Sequence, residues 1–107
     1  MLSVQPMESG LRVCFDGALT IYQVIDYKPQ LLDGLRDVRE VQVDLAEVDE
    51  IDGAGLQLLM FVRREVLAAG ARWQVVAHGD ASREALSLAG LATEFDLVDV
   101  LESEVVQ

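Results

Sequence analysis

The stretch that decides the fold is Val41-Gln42-Val43-Asp44-Leu45-Ala46-Glu47-Val48-Asp49-Glu50-Ile51-Asp52-Gly53-Ala54-Gly55-Leu56-Gln57-Leu58-Leu59, continuing to Ala69-Gly70. Val41, Val43 and Leu45 alternate with Gln42 and Asp44, the period of a half-buried strand, which is predicted to end at Ala46 before an acidic loop, Glu47 to Asp52. From Gly55 to Ala69 the residues are strong helix formers or apolar, Asp52 just before is placed to accept hydrogen bonds from the amides of the first turn, and Gly70 stands where a left-handed C-terminal cap belongs. At about 100° per residue, Leu58, Leu59, Val62, Val66 and Ala69 share one arc, a core face. Leu56, Met60 and Leu67 fall outside it and form a second apolar strip bordered by Arg63 and Arg64. That is more apolar surface than a helix with one buried side needs. Two readings follow. Either Leu56, Gln57, Met60, Arg63 and Arg64 extend a docking face centred on Gly53 to Gly55, or the first helix or the C-terminal tail covers the strip.

Upstream, Leu11, Val13 and Phe15 alternate with Arg12 and Cys14, giving a strand closed by Asp16-Gly17. Thr20 suits an N-cap for a helix in which Tyr22, Ile25, Tyr27, Leu31, Leu32 and Leu35 recur, running up to the charged stretch Arg36 to Glu40. Pro29 lacks an N–H and predicts a kink or break near Asp26. Downstream, Trp73 to Ala77 is almost continuously apolar and reads as a strand buried on both faces at the centre of the sheet. Asp80 is placed to cap a helix over Ala81 to Ala89, with Ala85, Leu86 and Ala89 inward and Gly90 ending it. Phe95 to Leu101 supplies a last strand or helical turn, and residues 1–10 and 102–107 read as frayed termini. Strands and helices alternate, so the expectation is one α/β domain over residues 1–107. It has a central four- or five-stranded mixed sheet with helices mainly on one face.

Composition limits what such a domain does. The chain has 19 acidic against 8 basic residues, a net charge of -11, which repels phosphate backbones and anionic lipid surfaces; neither nucleic-acid nor direct membrane binding is expected. The acidity either steers a basic partner or serves solubility. Cys14 is the only cysteine, so one chain assembles neither a disulfide nor a cysteine-based zinc site. Residues 1–10 have no basic start and no long apolar run, which reads as cytoplasmic.

The central stretch resembles the signature of the STAS family (sulfate transporter and anti-sigma factor antagonist domain). There, a strand ending in Asp-Leu leads through a short loop to Asp-Ser/Thr-Ser/Ala-Gly-Leu at the start of the longest helix. Asp44-Leu45 and Asp52-Gly53-Ala54-Gly55-Leu56 occupy those places. Gly17-Ala18-Leu19 after the first predicted strand, and the run Ser82 to Phe95 with Leu86, Leu88, Ala89-Gly90-Leu91 and Phe95, extend the likeness over nearly the whole chain. The resemblance implies a non-enzymatic binder of an anti-sigma factor, kinase-like or other signalling protein in a bacterium. The Gly-Ala-Leu-Thr-Ile-Tyr and Ile-Asp-Gly-Ala-Gly-Leu-Gln-Leu-Leu runs are most similar to stand-alone members of chemotaxis-type signalling clusters. The alternative is a soluble STAS subunit of a lipid-transport ABC complex. In switching members a kinase phosphorylates the hydroxyl residue after the aspartate; here that position is Gly53, and Ala54 also lacks a hydroxyl. An always-available or differently regulated binder is the preferred reading.

The remaining candidates have plainer explanations. His78, the sole histidine, follows the Trp73 to Ala77 strand and reads as a loop residue, and no serine stands in a nucleophile elbow. Asp44, Glu47, Asp49, Glu50 and Asp52 have the chemistry of a hard-cation site but not an EF-hand pattern, so they read as a solvated rim, and no metal is expected. Gly53-Ala54-Gly55 lacks the lysine and full glycine spacing of a phosphate loop, and no cofactor is expected. Cys14, Phe15 and Trp73 read as core. Thr20 and Ser82 read as caps.

Overall fold

The computed structural model describes residues 1–95, over which the order is β1 (Leu2–Pro6), β2 (Gly10–Leu19), α1 (Ile21–Gly34), β3 (Glu40–Ile51), α2 (Gly53–Ala68), β4 (Arg72–His78) and α3 (Asp80–Leu88). The strands lie side by side in sequence order, β1 antiparallel to β2 and β2, β3 and β4 mutually parallel. A right-handed crossover between adjacent parallel strands puts its helix on a fixed side, so α1 and α2 cover the same face. The expected mixed sheet is therefore four-stranded among the described residues.

Alternation builds the core. Val13 and Phe15, Val41, Val43 and Leu45, and Trp73 and Val75 are buried beneath Leu31, Leu58, Leu59, Val62, Val66 and Leu86. The opposite face is polar: Arg12, Gln42 and Gln74 share one row across the strands, and Arg12 donates to Asp44 at 3.2 Å. Helix α2 ends as the sequence reading expects, with Gly70 at φ 77° and Ala71 N–H bonding back to the Val66 carbonyl.

Several boundaries differ from the sequence reading. Residues 2–6 are an edge strand, not part of a frayed terminus: Leu2 and Val4 pair with Phe15 and Val13, and Pro6 is tolerated because it ends an edge. Strand β2 runs on through Asp16-Gly17 to Leu19, with register shifts on either side of that dipeptide. Similarly, Glu47 to Ile51 is strand rather than acidic loop. Its apolar residues Leu45, Val48 and Ile51 recur every third position because the register shifts against β2, which hid the strand from a period-two reading.

Helix α1 passes Pro29 without a break. The carbonyl that Pro29 leaves free belongs to Ile25, which is exposed, and Val24, Tyr27 and Leu31 anchor the helix on both sides. Strand β4 is not buried on both faces, since Gln74 is exposed between buried Trp73 and Val75, and among the described residues it stands last in the sheet order. Ala69 and Ala89 are exposed at helix ends instead of in the core. Gly79, not Asp80, is the N-cap of α3, where the buried Ser82 hydroxyl accepts from Gly79 N–H at 3.1 Å. The predicted element after Phe95 and the acidic end of the chain lie outside the described residues.

Candidate functional site

Two helices begin at one carboxylate. Asp52 is the single residue between β3 and α2, and its Oδ1 accepts from the Gly55 N–H at 3.0 Å, the N-cap bond expected for α2. Its Oδ2 accepts from the Ile21 N–H at 3.0 Å, the first residue of α1. Donation by Gly55 first, then by Ile21, favours the ionised form and lowers the Asp52 pKa below the usual carboxylate range. Thr20 caps α1 from the other side: its backbone N–H and hydroxyl both donate to Gln23 Oε1, at 3.0 and 2.6 Å. The Asp52 N–H also donates to the Leu19 carbonyl at 3.4 Å, so the ends of β2 and β3 are joined at this corner.

The glycines at the tip have separate roles. At Gly53 an added Cβ would meet nothing within 4 Å, and the residue is exposed. At Gly55 it would stand 2.1 Å from the Leu19 carbonyl oxygen, and the residue is buried. Gly55 therefore lets α2 press against the end of β2, and the accessible tip is Gly53-Ala54 rather than all three residues. Leu56 is half-buried against the core. Gln57, Met60 and Arg64 are exposed, and Arg63 is half-buried with its guanidinium 6.0 Å from the Phe95 ring centroid.

Helix α1 does not close over the strip; it forms the opposite bank of a groove of about 440 Å³ whose walls include Ile21, Val24 and Lys28 from α1 and Gln57, Met60, Phe61 and Arg64 from α2. Lys28 Nζ lies 4.5 Å from the Phe61 ring centroid at this seam. Two of its apolar wall residues are well exposed, Ile21 at 50% and Met60 at 41%, and α1 also leaves Tyr22 and Ile25, which are not in the walls, 80% and 70% exposed. The α1 members were not among the sequence-derived site residues. Their signal was present, because Val24, Tyr27, Leu31 and Leu35 already supply an inward stripe, leaving Ile21, Tyr22 and Ile25 surplus.

The other candidates sit apart. His78 is half-buried at the end of β4, and Cys14 lies on the polar sheet face beside Arg12. Glu47 and Glu50 are exposed in the C-terminal part of β3, the end that leads to Asp52. Among the described residues, no group of three or more His, Cys, Asp or Glu side chains is placed to hold a metal ion. No helix among them is long and apolar enough to cross a membrane.

A mixed sheet with one covered face and an apolar-rimmed helix corner defines a small α/β interaction module. The chain belongs to the STAS domain family: the family model described as "Mlab, STAS domain" matches residues 3–101. Among solved structures, it is similar to an anti-sigma factor antagonist from Mycobacterium paratuberculosis, with TM-score 0.79 and 23% identity over 96% of this chain and 92% of that one. The anti-sigma factor antagonist SpoIIAA in its unphosphorylated form gives TM-score 0.76 and 14% identity, over 96% and 97%. The phosphorylated form of SpoIIAA, the Bacillus cell fate determinant, gives 0.71 and 14%, over 94% and 99%. No curated protein matches. At these identities the structural likeness establishes the fold, as expected from the sequence.

Proposed function

We propose that the chain is a non-enzymatic regulatory module of the bacterial cytoplasm that binds a signalling protein through the Asp52 corner, in the manner of an anti-sigma factor antagonist. The observation that carries this reading is the accessible Gly53-Ala54 tip, whose Ala54 shares a groove with the exposed Ile21 and Met60. Exposed apolar side chains gathered around an approachable helix end are costly to leave in water and favour a protein partner. Gln57, Arg63 and Arg64 continue the contact along α2, with Leu56 and Gly55 supporting it from beneath. The partner is an anti-sigma factor, kinase-like or chemotaxis-type signalling protein.

Control differs from that of switching family members. Neither Gly53 nor Ala54 offers a hydroxyl, so a phosphate is not added at the tip. The same observation favours a second reading, a permanently held soluble subunit of a lipid-transport ABC complex, which needs no such switch. Affinity capture with the full chain, read by mass spectrometry, separates the two: a kinase-like or chemotaxis protein supports the first, a transporter ATPase the second. In either case Met60→Glu abolishes capture while its thermal melt matches the wild type. A collapsed melt, or undiminished capture by a folded variant, contradicts the assigned face.

A further inference from the structure

Charge is distributed unevenly over the molecule. Arg12, Arg72 and Arg83 are paired with Asp44, Glu40 and Asp80, all away from the groove between α1 and α2. Among the described residues, Lys28 and Arg64 line that groove without a carboxylate in salt-bridge range, and no acidic residue shares its walls. This is unexpected in a chain with 19 acidic and 8 basic residues. Lys28 rests on the Phe61 ring, a placement that orients the ammonium without neutralising it. Apart from Gln57, the side chains that share the walls with the two cations are apolar, among them Ile21, Val24, Met60 and Phe61.

The shape narrows the occupant. Ile21 to Lys28 spans about two helical turns, roughly 10 Å at 1.5 Å per residue. A helix laid along that length presents anchors at i, i+3 or i+4, and i+7. An open groove of about 440 Å³ admits such apolar anchors, and cations on both banks favour carboxylates beside them. An anionic lipid surface offers the same charge, but the net charge of -11 opposes approach to an extended anionic plane, whereas a short helix meets only the local field.

We infer that the groove between α1 and α2 receives a short amphipathic helix of the partner protein, whose apolar face packs on Ile21, Met60 and Phe61 and whose carboxylates meet Lys28 and Arg64. This rests on the proposed docking role of the same corner and adds the chemistry of what docks there.

The test places a photo-crosslinking amino acid at Gln57, which is exposed in the groove, and a second at Gln74 on the polar sheet face. The full chain is irradiated in lysate of the source organism, and the crosslinked peptides are sequenced. The expected result is a Gln57 crosslink to a segment with helical apolar spacing flanked by Asp or Glu. Lys28→Glu combined with Arg64→Glu lowers its yield about tenfold, as expected for two exposed ion pairs turned repulsive. Lys28→Arg retains the yield, and both variants melt as the wild type does. A Gln57 crosslink to a basic or extended segment, or one insensitive to the double reversal, overturns the inference and leaves the docking role standing. Crosslinks at Gln74 alone overturn both. Pelleting of the chain with phosphatidylglycerol vesicles, lost on the double reversal, assigns the cations to lipid and also overturns the inference.

Discussion

The two glycines at the start of α2 should respond in opposite directions to the same substitution. In Gly55→Ala the new Cβ would stand 2.1 Å from the Leu19 carbonyl oxygen and 3.0 Å from Ile51 Cγ1, where ordinary contact begins near 3.4 Å. The obstacle is backbone, and Leu19 is fully buried, so neither side yields without moving α2 off the end of β2. Overpacking of this kind costs about 1–3 kcal/mol, and the backbone obstacle argues for the upper part of that range before the helix preference of alanine offsets up to about 1 kcal/mol. At roughly 4–8 °C per kcal/mol for a domain near this size, the melting temperature falls by about 5–15 °C. Gly53→Ala meets nothing within 4 Å, and it gains about 0.4–1 kcal/mol by restricting the unfolded chain. Circular dichroism melts and urea titrations of both variants against the wild type give the comparison. A Gly55→Ala protein as stable as the wild type, or equal losses in both variants, would refute the close approach of α2 to Leu19.

Two further outcomes follow from the corner. Because donation by Gly55 and Ile21 lowers the Asp52 pKa, its stabilising contribution is complete above the unfolded value of about 3.9 and disappears as pH falls through the lower folded value. The melting-temperature gap between wild type and Asp52→Asn should thus be constant from neutral pH to about 5 and narrow below about pH 4; a gap unchanged into acid removes the carboxylate from this role. Gly53→Asp puts a charge and side-chain bulk into open space at a helix start, so the melt should hold while partner capture falls at least tenfold, and retained capture would move the contact away from the tip.

The period-two alternation of β3 and the apolar arc of α2 were legible because each buries one side of a regular element. So was Asp52 as a cap, since a carboxylate before a small-residue helix start has few other uses. What escaped was non-local. The second bond of Asp52, to the start of α1, depends on β2 and β3 ending side by side, which no spacing encodes. Register shifts disguised the far halves of β2 and β3 as turns or loops. Gly55 read as surface because a bare helix start and a close-packed one have the same sequence, and only the position of Leu19 distinguishes them. The α1 bank was missed for another reason. Tyr22, Ile25, Tyr27, Leu31, Leu32 and Leu35 read as one helical pattern, and only the packing of Val24, Tyr27 and Leu31 against the core separates its inward members from its outward ones.

Hydrogen–deuterium exchange of the free chain against its captured complex tests the docking face most directly. Slowed exchange in residues 21–28 and 53–64, with the strands unchanged, is the expected footprint. Protection confined to β4 or α3, with both helix starts exchanging as in the free chain, would contradict it.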